Sequence, residues 1–121
     1  EESIAEVRRA TVRAVAHQKQ IEKQLEATRT AAPDLEGKAR LALARGEEEL
    51  ARQAVRRKLQ AQRAEQSLAR ELEGARTAAA QLKLDLGRLE DQVQIARRRR
   101  DELFRRRQAA ARHRQAQHQA A

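Results

Sequence analysis

The chain has 121 residues, of which 37% are charged and 1% are aromatic, and its formal net charge is +9. Leu, Val, Ile and Phe together number 22, which is too few to build an ordinary globular core. The absence of Cys excludes disulfide frameworks and thiolate metal sites, and there is no run of about 20 apolar residues that would span a membrane. Ala, Glu, Lys, Leu and Arg account for 80 residues, a bias typical of long helices or coiled coils. Because the sequence starts with Glu1 and has no Met, we expect a fragment of a longer protein.

The first third of the chain carries apolar or small residues at alternating steps of three and four. This spacing is typical of a helix that packs along another helix, and a disordered chain has no reason to keep it. The pattern holds for six heptads, so we predict a first helix over about residues 1–44. The positions of this first heptad series are Ile4, Val7, Thr11, Ala14, Gln18, Ile21, Leu25, Thr28, Ala32, Leu35, Ala39 and Ala42.

Pro33 and Gly46 are the two residues of this region that are expected to interrupt or end a helix. A proline inside a helix removes a hydrogen bond and clashes with the preceding turn, at a cost of about 3 kcal/mol. Since the heptad series passes through Pro33 in phase, we predict a kink there rather than a break. Gly46 follows several cations and precedes Glu47, Glu48 and Glu49, which suits the end of one helix and the start of another. Glycine also accepts the left-handed backbone that ends many helices, so the sequence predicts a turn near Arg45–Gly46.

The rest of the chain predicts a second helix over about residues 47–118. Before Leu68 its phase is less clean, and the spacing of Leu50, Ala61 and Leu72 by eleven residues favours a locally straightened supercoil. The second heptad series consists of Leu68, Leu72, Ala75, Ala79, Leu82, Leu86, Leu89, Val93, Ala96, Arg100 and Leu103.

The predicted fold is all-α: a single domain over residues 1–121 that forms a long antiparallel two-helix coiled-coil hairpin with unequal arms. At 1.5 Å per residue the first helix spans about 66 Å and the second about 110 Å. Folding at Gly46 places Ile4 opposite Leu86 and Leu41 opposite Leu50. Everything after about Asp91 then forms an overhang with no partner inside the chain.

The overhang carries four large apolar residues. An isolated helix in water is held mainly by packing of its apolar face, so we expect this segment to be covered either by sequence that precedes Glu1 in the longer protein or by another subunit. We therefore predict a homo-oligomer that associates through Val93, Ile95, Leu103 and Phe104.

The excess positive charge lies in the same segment. Residues 88–121 hold 10 basic and 4 acidic groups. They form either a solvated helix end or a contact for an acidic partner, namely anionic lipid, an acidic face of another subunit, or nucleic acid. Nucleic acid is the least favoured, because the chain has no set of aromatic side chains to stack on bases and no known DNA- or RNA-reading motif. The candidate contacts are Arg97, Arg98, Arg99, Arg100, Arg105, Arg106 and Arg107.

No catalytic or metal constellation is recognisable. His113 and His118 are five residues apart and so fall on different sides of a helix, whereas paired ligands prefer spacings of three or four. A two-helix rod also offers no concave, water-excluding pocket. We therefore predict no enzymatic activity, no cofactor and no metal.

Residues 35–55, LEGKARLALARGEEELARQAV, resemble the hairpin-tip signature of the phage-shock protein A family, which includes the vesicle-inducing proteins of plastids. Residues 6–8 and 14–21 fit the first helix of that family, and residues 82–90 and 97–111 fit its second. The similarity extends over essentially the whole chain. Leu35 stands where the family usually has an aromatic residue. Pro33 lies where the family usually has an uninterrupted helix.

The resemblance implies a protein that is cytoplasmic and peripheral to the inner face of the cytoplasmic membrane, with a fold similar to ESCRT-III proteins. Such proteins assemble into rings, rods or filaments that bind and remodel stressed membranes. It also implies that the present chain is the coiled-coil core, and that the membrane-binding N-terminal helix lies outside it.

Two alternatives stay open beside this scaffold function. The resemblance also implies a regulatory module that binds and inhibits an AAA+ transcription activator. The positive net charge is in turn compatible with a basic coiled coil that binds nucleic acid. Some plastid-type relatives bind nucleotide between subunits, and the positions here that match the contributing groups are Arg8 and Glu90. Ordinary surface charge is the interpretation we favour for both residues.

Overall fold

The computed structural model describes residues 2–120, and within them it contains three helices. Helix α1 spans Glu2–Thr28, α2 spans Ala31–Ala44 and α3 spans Glu48–Ala120. Both α1 and α2 pack along α3 in the antiparallel direction, so that Lys58 faces Glu36 near the tip and Glu90 faces Arg8 near the open end. The prediction of an all-α hairpin with unequal arms is confirmed.

The first heptad series forms the contact surface of the shorter arm. Each of its positions is buried or half-buried, and Ile21 is the most enclosed, with 2% of its surface exposed. Ile21 packs with Leu72 and Ala75 from α3, and Leu25 and Leu68 cover this cluster. The buried residues are otherwise mostly alanines, so the two arms make a thin interface rather than a thick core.

The predicted turn at Arg45–Gly46 is confirmed, and its hydrogen bonds explain why it holds. Gly46 has φ +75°, the left-handed conformation. Its N–H donates to the Leu43 carbonyl (3.1 Å), and the Glu47 N–H donates to the Ala42 carbonyl (2.9 Å). This pair of bonds is the Schellman motif, which satisfies the last carbonyls of α2. The Glu47 carbonyl then accepts the first helical bond of α3, from the Ala51 N–H (3.1 Å).

Replacing glycine by alanine is expected to change the free energy of unfolding in opposite directions at Gly46 and Gly74. A Cβ meets no atom within 4 Å at either position, so crowding plays no part. At Gly46 the left-handed backbone disfavours any side chain, and Gly46→Ala should lower the free energy of unfolding by about 1–2 kcal/mol. Gly74 lies inside α3, where Gly74→Ala should raise that free energy by about 0.5–1 kcal/mol. Urea denaturation followed by circular dichroism measures both, and equal signs would contradict the turn geometry.

Helix one is divided into two helices by a turn at Arg29 and Thr30, one helical turn before Pro33. Proline has no N–H to donate to the carbonyl four residues earlier, which is that of Arg29, and its ring crowds the same carbonyl. Regular bonding resumes where the Asp34 N–H donates to the Thr30 carbonyl (3.1 Å). Pro33 itself stands in the first turn of α2, where its missing N–H costs little. The structure thus has a two-residue turn where we predicted a kink in one continuous helix, and Ala32 remains buried in phase beyond it.

The second heptad series is confirmed from Leu68 to Val93, where every position is buried or half-buried. The local straightening that we inferred before Leu68 is not needed, because the same three-four spacing continues back to the tip through small and polar residues. Leu50 lies off this line and is 57% exposed. The earlier members of the series are Ala51, Ala54, Lys58, Ala61 and Glu65.

The pairing of the arms is shifted from the predicted one. Ile4 lies beside Glu90 and Val93 rather than opposite Leu86, a displacement of one to two helical turns along α3. Leu41 and Leu50 do not cover each other, since both are more than half exposed. The shorter arm therefore reaches further along α3 than expected, and the overhang begins after Val93 instead of after Asp91.

Candidate functional site

The overhang of α3, residues 94–120, is exposed along its whole length in the described part of the chain. At 1.5 Å per residue it extends about 40 Å beyond the end of α1. No other helix of the described residues covers it, because α1 ends its contact near Ile4. A long single helix with an uncovered surface is the most distinctive feature of the molecule.

The structure separates the four predicted association residues into two groups. Val93 is half-buried and, with Ile4, lines the groove between α1 and α3, so part of its surface is already used within the chain. The other three lie on the overhang and are exposed: Ile95 by 49%, Leu103 by 53% and Phe104 by 61%.

The seven candidate arginines all lie on the exposed surface of the overhang. Arg106 donates to Glu102 at 2.8 Å, and Arg100 lies 3.6 Å from Asp101. These local ion pairs are well exposed and stabilise the helix only slightly. Because the overhang has just these two acidic residues, its net charge stays strongly positive after pairing.

The two candidate nucleotide contacts meet at the open end of the hairpin. The Arg8 Nε lies 3.8 Å from the Glu90 Oε1, and both side chains line a groove of about 360 Å³ between α1 and α3. The side chains are 62% and 46% exposed, so the ion pair contributes little to stability. The contact gives each residue a partner inside the chain and marks which positions of the two arms lie side by side.

The histidines show no arrangement suited to a metal. His113 shares a contact of 3.2 Å with Gln117 on the next turn of α3. Within residues 2–120 no group of three potential ligand side chains comes together.

One surface was missed by the sequence analysis. At the hairpin tip a groove of about 480 Å³ lies between the end of α2 and the start of α3. Its apolar members Leu43 and Val55 are 61% and 43% exposed. The signal was present, since Leu43 and Val55 both fall outside the heptad positions that face the other arm.

The comparison with known families agrees with this architecture. The model of the PspA/IM30 family matches residues 1–121. The chain belongs to this family. PspA/IM30 is a structural family, and membership makes the chain a membrane-stress-related coiled-coil protein. No individual curated protein matches the sequence.

Among residues 2–120, none of the helices combines the length and the apolar character needed to cross a bilayer.

Proposed function

We propose that this chain is the non-enzymatic coiled-coil core of a protein that self-assembles on the cytoplasmic face of the membrane and supports membrane binding and remodelling under stress. The observation that carries the proposal is the exposed overhang of α3. The PspA/IM30 family supports the membrane-stress context, and the similarity to ESCRT-III proteins belongs to the same proposal.

The overhang favours association because its apolar side chains are exposed and no other helix within residues 2–120 covers them. Leu103 and Phe104 are adjacent and more than half exposed. Burying a large apolar side chain contributes about 1.5–3 kcal/mol relative to leaving it in water. A second copy that covered these two residues would gain that free energy and would also stabilise the helix that carries them.

The charge of the overhang favours an acidic surface as the second partner. Clustered arginines near an anionic bilayer gain about 1 kcal/mol each, and the gain is lost at high ionic strength. In the assembly we propose, overhangs on neighbouring copies lie near lipid head groups, and the deeper membrane contact comes from family segments outside residues 1–121.

The double substitution Leu103→Asp with Phe104→Asp, made in the longest native form of the protein, is expected to abolish its large assemblies. Two buried carboxylates without partners oppose association, whereas α1, α2 and the covered part of α3 keep their packing. Size-exclusion chromatography with light scattering measures assembly, and circular dichroism measures helix content.

Val12→Asp is the matched control, since Val12 is 68% exposed on α1 and far from the overhang. We expect the control to assemble normally. Assemblies that survive the double substitution, or that are lost equally in the control, would overturn the association surface proposed here. Binding of the unchanged protein to duplex nucleic acid with a steep salt dependence, together with no binding to anionic vesicles, would favour the nucleic-acid alternative.

A further inference from the structure

Helix α2 has a turn at each end, and neither turn carries the helical bonding across. At the Arg29–Thr30 turn α1 closes with a bond of its own, from the Arg29 N–H to the Glu26 carbonyl (3.3 Å). The Arg29 carbonyl lies four residues before Pro33, which has no N–H to donate to it. At the other end the Schellman motif at Gly46 closes α2. Detaching α2 from α3 would therefore break no helical hydrogen bond of α1 or of α3.

The helix between the two turns is weak by itself. It has 14 residues, a length at which an isolated helix is only marginally stable in water. Gly37 lies in its interior, and glycine disfavours a helix because it loses the most conformational freedom there. Helix α2 therefore depends on its packing against α3.

That packing contains little apolar bulk. Leu35 is only half-buried, and Leu41 and Leu43 are more than half exposed. The α1 half of the hairpin instead encloses Ile21 and Leu72. Since the free energy of burial scales with apolar area, α2 is held to α3 less tightly than α1 is. The fully buried side chains of the α2 half are all alanines: Ala32, Ala39, Ala42, Ala51 and Ala54.

Charged residues take up part of the same interface. Lys58 occupies a heptad position of α3, and its Nζ lies 3.7 Å from the Glu36 Oε1, which also accepts a hydrogen bond from Arg40. A half-buried ion pair loses much of its attraction to desolvation, so it holds the helices together only weakly. Beside the turn, Arg29 and Glu65 line an open groove of about 480 Å³.

We propose that α2 is a strap that opens from α3 as a unit while α1 stays packed, with the Arg29–Thr30 turn as its joint. Local opening of this kind occurs in segments that bury few apolar contacts. When α2 is open, the face of α3 that carries Ala51 and Ala54 becomes accessible. Pro33 keeps the two halves of the shorter arm separate, so each has its own stability.

Hydrogen exchange followed by mass spectrometry tests this proposal on the unchanged protein. The amides of α2 should exchange at least about tenfold faster than those of residues 10–25 in α1. Pro33→Ala restores an N–H that can donate to the Arg29 carbonyl, so the difference between the two groups of amides should shrink. Exchange measured at two protein concentrations separates opening of the chain from any association.

Gly37→Ala and Gly87→Ala form a matched pair, because an added Cβ meets no atom within 4 Å at either position. Gly37→Ala stabilises α2 in its closed form and should slow exchange of the α2 amides about two- to fivefold. Gly87 lies on the part of α3 that stays helical when α2 opens, so Gly87→Ala should leave exchange of the α2 amides unchanged.

Three outcomes would overturn the proposal. Equal exchange of α1 and α2 would show that the shorter arm opens only as a whole. An equal effect of Gly37→Ala and Gly87→Ala on the α2 amides would mean that α2 exchanges only when the entire hairpin unfolds. A difference that Pro33→Ala leaves intact would show that the turn is not the joint. None of these results depends on the overhang, whose association is judged by its own variants.

Discussion

Replacing Ile21 by Ala is expected to lower the free energy of unfolding of the hairpin by about 2–5 kcal/mol. Ile21 is the most enclosed of the large apolar side chains, with 2% of its surface exposed, and it packs with Leu72 and Ala75 of the opposite arm. Leu25, Leu68 and Leu72 pack around Ile21, and the shorter alanine side chain would leave a gap among them. A thin interface has few other large side chains to compensate.

Val12→Ala is the control for this prediction. Val12 lies on the same helix as Ile21, but it is 68% exposed, so its replacement should change the free energy of unfolding by no more than about 0.5 kcal/mol. Thermal and urea denaturation at several protein concentrations measure both variants and separate unfolding from any association. Similar effects at the two positions would show that the arms do not pack through Ile21.

The heptad spacing predicted most of the fold because it reports directly which helix face is buried. Every position of the first series is buried or half-buried, including polar ones such as Gln18. The turn at Gly46 was also predictable, since its charge reversal and its glycine both follow from local chemistry.

The pairing of the arms was not predictable from the same spacing. A heptad repeat is compatible with sliding one helix past the other by whole heptads, and the tip alone does not fix the offset. Ile4 consequently lies beside Glu90 and Val93 rather than opposite Leu86. Pairs such as Arg8 with Glu90 mark the actual offset, but exposed ion pairs are too weak and too common to identify in a sequence with so many charges.

Of the two candidate surfaces, one was predictable from the sequence and the other was not. Within residues 2–120 the overhang was predictable from the lengths of the arms, because α3 is longer than α1 and α2 together. The tip groove was not, since it depends on which side of α3 the end of α2 occupies. The spacing predicts Leu50 as an interface residue, whereas the structure buries Ala51 and Ala54 and leaves Leu50 57% exposed.

Ala79→Leu is expected to lower the free energy of unfolding by about 1–3 kcal/mol, although leucine is the more apolar residue. Among the buried residues that the structure describes, Ala79 is the most enclosed, with 1% of its surface exposed, and it belongs to the heptad series that faces α1. The small side chain allows the two backbones to approach closely, and a leucine there has no free volume to enter. It would force either the side chain out of its preferred rotamers or the helices apart.

Ala80→Leu supplies the control, because Ala80 is the next residue on α3 and is exposed. Alanine and leucine have nearly equal helix propensity, so the free energy of unfolding of this variant should lie within about 0.5 kcal/mol of that of the unchanged chain. The variant that combines Ala79→Leu with Ile21→Ala tests whether the two positions are coupled. The changes in the free energy of unfolding add if the sites are independent, and they deviate from the sum if the sites share a contact. A stabilising Ala79→Leu would mean that the arms are held by apolar area alone, and the close approach that the buried alanines imply would then be wrong.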